Sequence, residues 1–250
     1  MRFTILGSGT LSPSLLRNPA CNLLEIGKNK FLFDTGPGTI RRLLELKQNL
    51  LSIDHIFYTH LHNDHINDLG AIIWTNNYSP ERTKPINLYG PKGLKSYFKI
   101  FLNKILKLKE TSFKINLREM KNGSKAVIFG AAIKTGEIKH SKDACSIAYR
   151  IQYNGKIAVY TGDTDYCNEV MQIAKNADLL IAECTFPDKQ RTEGHLTPSL
   201  AGKIAAIANV KQLVLTHLSP YVLNTDIIKA CRKEFSGKIT IAKDKMPIKI

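Results

Sequence analysis

Residues 56–65 read Ile56-Phe57-Tyr58-Thr59-His60-Leu61-His62-Asn63-Asp64-His65. An apolar run of strand type ends at Thr59, and three imidazoles and a carboxylate follow within six residues. The chain has seven histidines in all, so three falling here is a concentration that a merely polar surface loop leaves unexplained. Imidazole nitrogen and carboxylate oxygen suit zinc, and also manganese or iron, whereas thiolates would mark a structural zinc. No cysteine lies in the segment. In a turn that follows a strand, His60 and His62 can point one way while Asp64 and His65 point another. One loop can therefore serve two metals.

Other ligand-type residues fall where strands are expected to end, the place where α/β folds gather their sites. His140 follows an expected strand at 131–138. Tyr160-Thr161-Gly162-Asp163-Thr164 ends another in a glycine turn with a carboxylate, and Leu215-Thr216-His217 ends a third with an imidazole. Strand and helix patterns alternate around them. Strands are expected at 2–7, 22–26, 30–34, 53–59, 86–89, 126–129, 131–138, 146–153, 156–161, 179–183 and 212–216, with closing strands at 239–241 and 247–250. Helices are expected at 39–48, 166–175, 198–208 and 225–235, and Asn154-Gly155 reads as a hairpin turn. With no linker or composition break, residues 1–250 read as a single α/β domain, two sheets between outer helices.

The chain has 250 residues and a net charge of +15. That balance favours an anionic partner such as RNA, DNA or an acidic small molecule, or reflects a lysine-rich composition. Lys92, Lys95, Lys99, Lys104, Lys107 and Lys109 punctuate Leu94, Tyr97, Phe98, Phe101, Ile105 and Leu108, an amphipathic basic helix. There is no apolar run near the ~18 residues of a membrane span. Met1-Arg2-Phe3-Thr4-Ile5-Leu6-Gly7 reads as a strand entering a glycine turn rather than a signal peptide. Five scattered cysteines without a Cys-x-x-Cys fit free thiols of a reducing, cytoplasmic compartment. The sequence leaves a monomer and a homodimer equally open.

The ordered set His60 to His65, His140, Asp163 and His217 resembles that of metallo-β-lactamase-fold hydrolases, along the whole chain. The resemblance implies a four-layer αββα sandwich with a dinuclear metal site at the edge of the two sheets. It assigns His60, His62 and His140 to one metal and Asp64, His65 and His217 to the other, with Asp163 as bridge. The two divalent ions are expected to be Zn²⁺, with Mn²⁺ or Fe²⁺ as alternatives. Further motifs are similar to the ribonuclease Z branch. These are Leu6-Gly7-Ser8-Gly9-Thr10 with Pro13 and Arg17-Asn18, Phe33-Asp34-Thr35-Gly36-Pro37-Gly38-Thr39, and Ser146-Ile147-Ala148-Tyr149-Arg150-Ile151 after His140. Glu183-Cys184-Thr185-Phe186 and Gly194-His195-Leu196-Thr197 complete the set. By resemblance Glu183 orients His195, and His195 assists the leaving group. Two features depart from the branch: Leu15 stands where a lysine is usual, and no arm that grips transfer RNA is present. Only twelve residues separate Arg150 from Asp163, and they read as a hairpin.

The chemistry also follows from residue types. Two cations flanking a water lower its pKa and give a bridging hydroxide at neutral pH. Asp64 ligates one metal and accepts a hydrogen bond from that hydroxide. His195 has the carboxylate Glu183 close before it, as a general acid requires. It also stands ahead of Thr197-Pro198, a helix start. His55 has no such support and reads as structural. Asp34 is placed to accept a hydrogen bond from a ligand histidine; Asp68 reads as a similar partner or as a plain helix residue. The glycine turns at 7–9 and 36–38 offer backbone N–H groups to phosphate or simply turn the chain. The expected function is a metal-dependent phosphodiesterase, ribonuclease Z-like, acting on a phosphodiester, with RNA and the 3′ end of transfer RNA among its substrates. The alternatives are a phosphodiesterase for small or cyclic phosphodiesters, another ester hydrolase of the fold, and a catalytically silent nucleic-acid-binding protein.

Overall fold

Apolar strands alternate with amphipathic helices, so each sheet must be covered on both faces. The computed structural model describes residues 1–12 and 14–250, so Pro13 of the N-terminal motif lies outside the described residues. The first sheet comprises β1 (Arg2–Gly7), β2 (Cys21–Ile26), β3 (Asn29–Phe33), β4 (His55–Phe57), β5 (Ile86–Gly90) and β6 (Ile115–Glu119). The second comprises β7 (Lys125–Ile128), β8 (Ala131–Ile138), β9 (Ser146–Tyr153), β10 (Lys156–Tyr160), β11 (Leu179–Glu183), β12 (Gln212–Thr216) and β13 (Lys238–Ile241). The last strand, β14 (Met246–Lys249), returns to the first sheet and pairs antiparallel with β1, Arg2 opposite Lys249. The strand orders are β14-β1-β2-β3-β4-β5-β6 and β13-β12-β11-β10-β9-β8-β7.

Both sheets repeat one plan. Pairing is antiparallel through β1-β2-β3 and turns parallel from β3-β4 through β5-β6. In the second sheet it is antiparallel through β7-β8-β9-β10 and turns parallel from β10-β11 through β13. Parallel strands deliver their carboxyl ends to one side. The ends of β3, β4, β10, β11 and β12 thus meet along a shared edge, where chemistry-bearing loops can assemble.

Three apolar clusters fill the layers between and outside the sheets. Phe3, Phe31, Phe33, Phe57, Tyr149 and Tyr160 pack between the sheets, with Phe33, Phe57 and Tyr89 stacked at 4.9 and 4.4 Å. Outside the first sheet, α1 (Thr39–Glu45), α3 (Leu69–Asn77) and α4 (Leu94–Ile100) cover Leu32, Ile56 and Leu88. Outside the second, α5 (Asn168–Ala174), α6 (Pro198–Ile207) and α8 (Ile227–Arg232) cover Leu180, Ala182 and Leu213. The short helices α2 (Asn63–Ile66) and α7 (Pro220–Leu223) lie in the loops at the shared edge. The order of layers is helix, sheet, sheet, helix, as expected.

Three expectations need correction. The strand expected at 53–59 shortens to β4, because residues 50–52 form a tight turn and Thr59 N–H leaves the ladder for the Asp34 carboxylate at 2.8 Å. The basic helix expected over 92–109 breaks into α4 and a wider π-type turn at Phe101–Ile105, and Lys107 adopts φ +53°. Asp68 is neither a partner of the ligand loop nor a plain helix residue: its carboxylate accepts from Gly38 and Ile40 N–H and caps the neighbouring α1. No helix among the described residues is long and apolar enough to cross a membrane.

Candidate metal centre

The loop after β4 passes through His60 and His62 into α2, which carries Asp64 and His65. The loops after β8, β10 and β12 bring His140, Asp163 and His217. Ligand atoms of His60, His62 and His140 lie within 4.8 Å of one another, and so do those of Asp64, His65, Asp163 and His217. The two groups abut. The Asp163 carboxylate reaches His65 Nε2 at 3.3 Å with one oxygen and His60 Nε2 at 3.9 Å with the other. All seven residues singled out in the sequence as ligands therefore converge, with Asp163 between the two groups.

Hydrogen bonds fix which nitrogen faces inward. Asp34 Oδ2 accepts from His65 Nδ1 at 2.8 Å and from Tyr160 Oη at 2.7 Å. The Thr59 hydroxyl donates to Asp34, so it accepts from His60 Nδ1 at 3.1 Å. His140 Nδ1 donates to the Gly194 carbonyl at 2.8 Å. His217 Nδ1 lies 2.9 Å from the Thr185 hydroxyl, which donates in turn to Glu183. His60, His65 and His140 thus spend Nδ1 outward and turn Nε2 inward, whereas His217 Nδ1 lies 3.3 Å from Asp163 Oδ1 as well. His140 Nε2 faces His62 Nδ1 at 3.1 Å, and His217 Nε2 faces Asp64 Oδ2 at 3.2 Å.

The inward atoms fit a cation. His60 Nε2, His65 Nε2 and Asp163 Oδ1 are buried without a hydrogen-bond partner. Leaving such atoms unpaired costs about 1–3 kcal/mol each, more when charged, and a bound metal removes that cost. Burial pushes the Asp163 carboxyl up, yet His217, His65 and His60 hold it well below the usual carboxylate range. Burial and the neighbouring His65 push His60 well below its ordinary value, which keeps it a neutral ligand. Borderline nitrogen and oxygen donors in two adjoining groups are a donor set for divalent metals.

Backbone strain marks the same edge. Asp34 and His217 adopt φ +61° and +54°, a region that side chains other than glycine rarely occupy. Gly162, at φ +61°, has no room for a side chain, because a Cβ there would lie 2.5 Å from the Thr59 side chain. Asp163 is thereby held directly over the ligand loop.

Beside the ligand groups, His195 Nδ1 donates to Glu183 Oε1 at 2.9 Å, which leaves Nε2 free. Burial works against the charged ring, but Glu183 raises its pKa to about 9. The acidic and basic pair expected from the sequence is therefore formed. His195 also lies near His140 and Asp163 in ligand geometry; its Nδ1 is committed to Glu183, which favours a proton-carrying role over ligation. His55 reaches Tyr89 Oη at 3.3 Å through its Nδ1, packs its ring against Phe129 and Phe31, and stands apart from the site as expected.

Two residues were not singled out in the sequence. Thr185 links His217 to Glu183. Its place two residues after Glu183, on the same face of an extending strand, was the available signal. Asp165 accepts from Gly194 N–H at 3.1 Å and from Arg191 at 3.1 Å, tying the His195 loop to the Asp163 loop. Nothing local distinguishes it from an ordinary turn aspartate.

A sandwich with this donor set at its shared edge defines a metal-dependent hydrolase of the metallo-β-lactamase type. The β-lactamase superfamily domain matches residues 29–218. The chain is 27% identical to a ribonuclease Z of Archaeoglobus fulgidus over 100% of this chain and 97% of that protein. It is 29% identical to a ribonuclease Z of Bacillus cereus over 95% of each. The short form of human tRNase Z superposes with a TM-score of 0.81 at 26% identity, covering 100% of this chain and 99% of that one. The metallo-β-lactamase-fold protein YhfI of Bacillus subtilis superposes with a TM-score of 0.86 at 24% identity, covering 99% and 98%. The chain belongs to the β-lactamase superfamily and is ribonuclease Z-like within it. The alignment with the Archaeoglobus fulgidus protein runs over 307 positions against the 250 residues here, so that relative carries more than fifty positions without a counterpart in this chain.

Proposed function

We propose that the protein is a metal-dependent phosphodiesterase of ribonuclease Z type, working as one domain. In this reading His60, His62 and His140 hold one divalent cation, most simply zinc, and Asp64, His65 and His217 hold a second, with Asp163 between them. The observation that carries it is the convergence of buried, unpartnered donor atoms of His60, His65 and Asp163 next to the Glu183–His195 pair. When bound, the cations supply Lewis acidity and a water of lowered pKa. Asp64, partly open to the cleft, serves as acceptor for the attacking water and so sets its direction. His195, held at Nδ1 by Glu183, delivers a proton from Nε2 to the departing oxygen.

The substrate is a phosphodiester, and the ribonuclease Z relatives make RNA the first class to test. A small phosphodiester is the second reading. It is favoured by Leu15, exposed where the resemblance calls for a lysine, and by the positions missing relative to the Archaeoglobus fulgidus protein. The test is side-by-side cleavage of a precursor transfer RNA, a cyclic nucleotide and bis(p-nitrophenyl) phosphate by metal-loaded protein, before and after chelation. Hydrolysis of at least one that disappears on chelation and returns with zinc or manganese is expected. Two metals bound and no turnover of any would retire the enzyme reading in favour of a binding protein.

A further inference from the structure

Five of the seven ligand residues, His62, Asp64, His140, Asp163 and His217, line a cleft of about 460 Å³, together with Leu11, Phe186 and Tyr221 among others. No lysine or arginine lines it among the described residues, in a chain that carries 36 of them. Its lip is apolar instead. Leu11 is 62% and Tyr221 61% exposed. Large apolar side chains massed beside a charged site cost solvation and mark a recognition surface.

Tyr221 is also built as a platform. It lies in the first turn of α7, whose N-cap Ser219 accepts from Val222 N–H and donates to the Thr185 carbonyl. The backbone is thus pinned to the loop that follows Glu183, while the ring stays open to solvent. Tyr221 also lines a second cleft of about 440 Å³, with Pro187, Pro198 and Ala230 and a polar margin that includes Asp188, Lys189 and Asp226. The two clefts meet at this ring, so a molecule whose phosphorus sits at the ligand cluster can extend along one face of Tyr221.

We infer that the enzyme acts on a small phosphodiester whose retained group, the one left on the product monoester, carries a single planar base that stacks on Tyr221 and enters the adjoining cleft. This rests on the phosphodiesterase reading and narrows it. One phosphodiester brings one negative charge, which a metal centre would meet, and the rest of such a molecule is neutral. A nucleic-acid strand brings a phosphate with every nucleotide and requires cationic side chains along its path. The cleft at the ligand cluster has none among the described residues, and the adjoining one sets its single lysine, Lys189, against Asp188 and Asp226. Stacking on an aromatic ring tolerates any base, because every base has a π-face.

Two esters with the same leaving group isolate the effect. Thymidine 5′-(p-nitrophenyl phosphate) and methyl p-nitrophenyl phosphate both release p-nitrophenolate and differ only in the group retained. Zinc-loaded protein should prefer the thymidine ester in kcat/KM by about tenfold or more, mainly through KM. Tyr221→Ala should cut that preference about tenfold, and Tyr221→Phe, which keeps the ring, should retain it. The ring is exposed, so neither change threatens folding. Equal kcat/KM for the two esters, or a preference untouched in Tyr221→Ala, would overturn the inference and leave the phosphodiesterase reading standing. So would far stronger inhibition by an oligoribonucleotide than by a dinucleotide. No turnover of either ester with both metals bound would overturn both.

Discussion

Asp34 holds rings of both ligand groups, His65 directly and His60 through Thr59. Asp34→Asn should therefore weaken metal binding at both positions, by about 10–100-fold, measured by competition with a chromogenic chelator. Weakening at one position alone would show that Thr59 orients His60 unaided. His195 should behave differently. His195→Ala should retain both metals by elemental analysis and slow hydrolysis of poor leaving groups by ~10²–10⁴-fold. The loss should shrink with p-nitrophenolate, which departs without a proton. The same residue gives a pH signature. Its pKa is raised to about 9 from an ordinary 6.5, so its stabilising effect is complete below 6.5 and disappears as pH rises through 9. The melting temperature of metal-free protein should fall across that window, and His195→Gln should flatten the fall. An unaltered slope in the variant would mean that the ring carries no proton there.

The loops between elements carry most of the chemistry, and they differ in how readable they were. The loop after β4 announced itself through ligand density. His140, Asp163 and His217 were legible because each follows an apolar run of strand length. Thr185 and Asp165 were not, because hydroxyl and carboxylate groups that bind other side chains follow no periodic pattern. The break in the basic helix was hidden for another reason: the apolar spacing persists through Phe101 and Ile105 while the backbone widens. At the start of that segment a Cβ added to Gly93 would come into van der Waals range of Leu61 in the ligand loop. Lys95→Ala, Lys99→Ala and Lys107→Ala together should change kcat/KM for a small ester by less than about twofold. Stopped assays across a salt series test this; a larger change would place the helix against substrate. Gly194→Ala should be far more damaging. Gly194 adopts φ +86°, and a Cβ there would collide with the His140 carbonyl. It should displace His140 and His195 together, lowering both metal content and turnover.

At the scale of the molecule, His60, His62, Asp64 and His65 come from the first sheet, and His140, Asp163 and His217 from the second. Bound metals thus tie the two sheets together. At a thousandfold excess over Kd, a ligand specific to the folded state stabilises it by about 4 kcal/mol per site, or roughly 10 °C for a chain of this size. Calorimetry with and without EDTA should show a drop of at least that order; coincident melts would mean that the cluster holds no metal. The layered architecture was legible as a whole because the alternation of strand and helix signals leaves few alternatives. The repetition of one plan in both sheets was not, since it resides in pairing directions rather than in residue types. The return of β14 to the edge of β1 has a consequence for biosynthesis. Its partner strand lies more than two hundred residues upstream, so β1 is translated long before the strand that covers it. Until then the nascent chain presents a hydrogen-bonding edge beside the apolar Phe3-Thr4-Ile5-Leu6, the kind of template on which unrelated chains aggregate. Ribosome-associated holding factors should matter most for this protein in that interval, between the emergence of its first strand and that of its fourteenth.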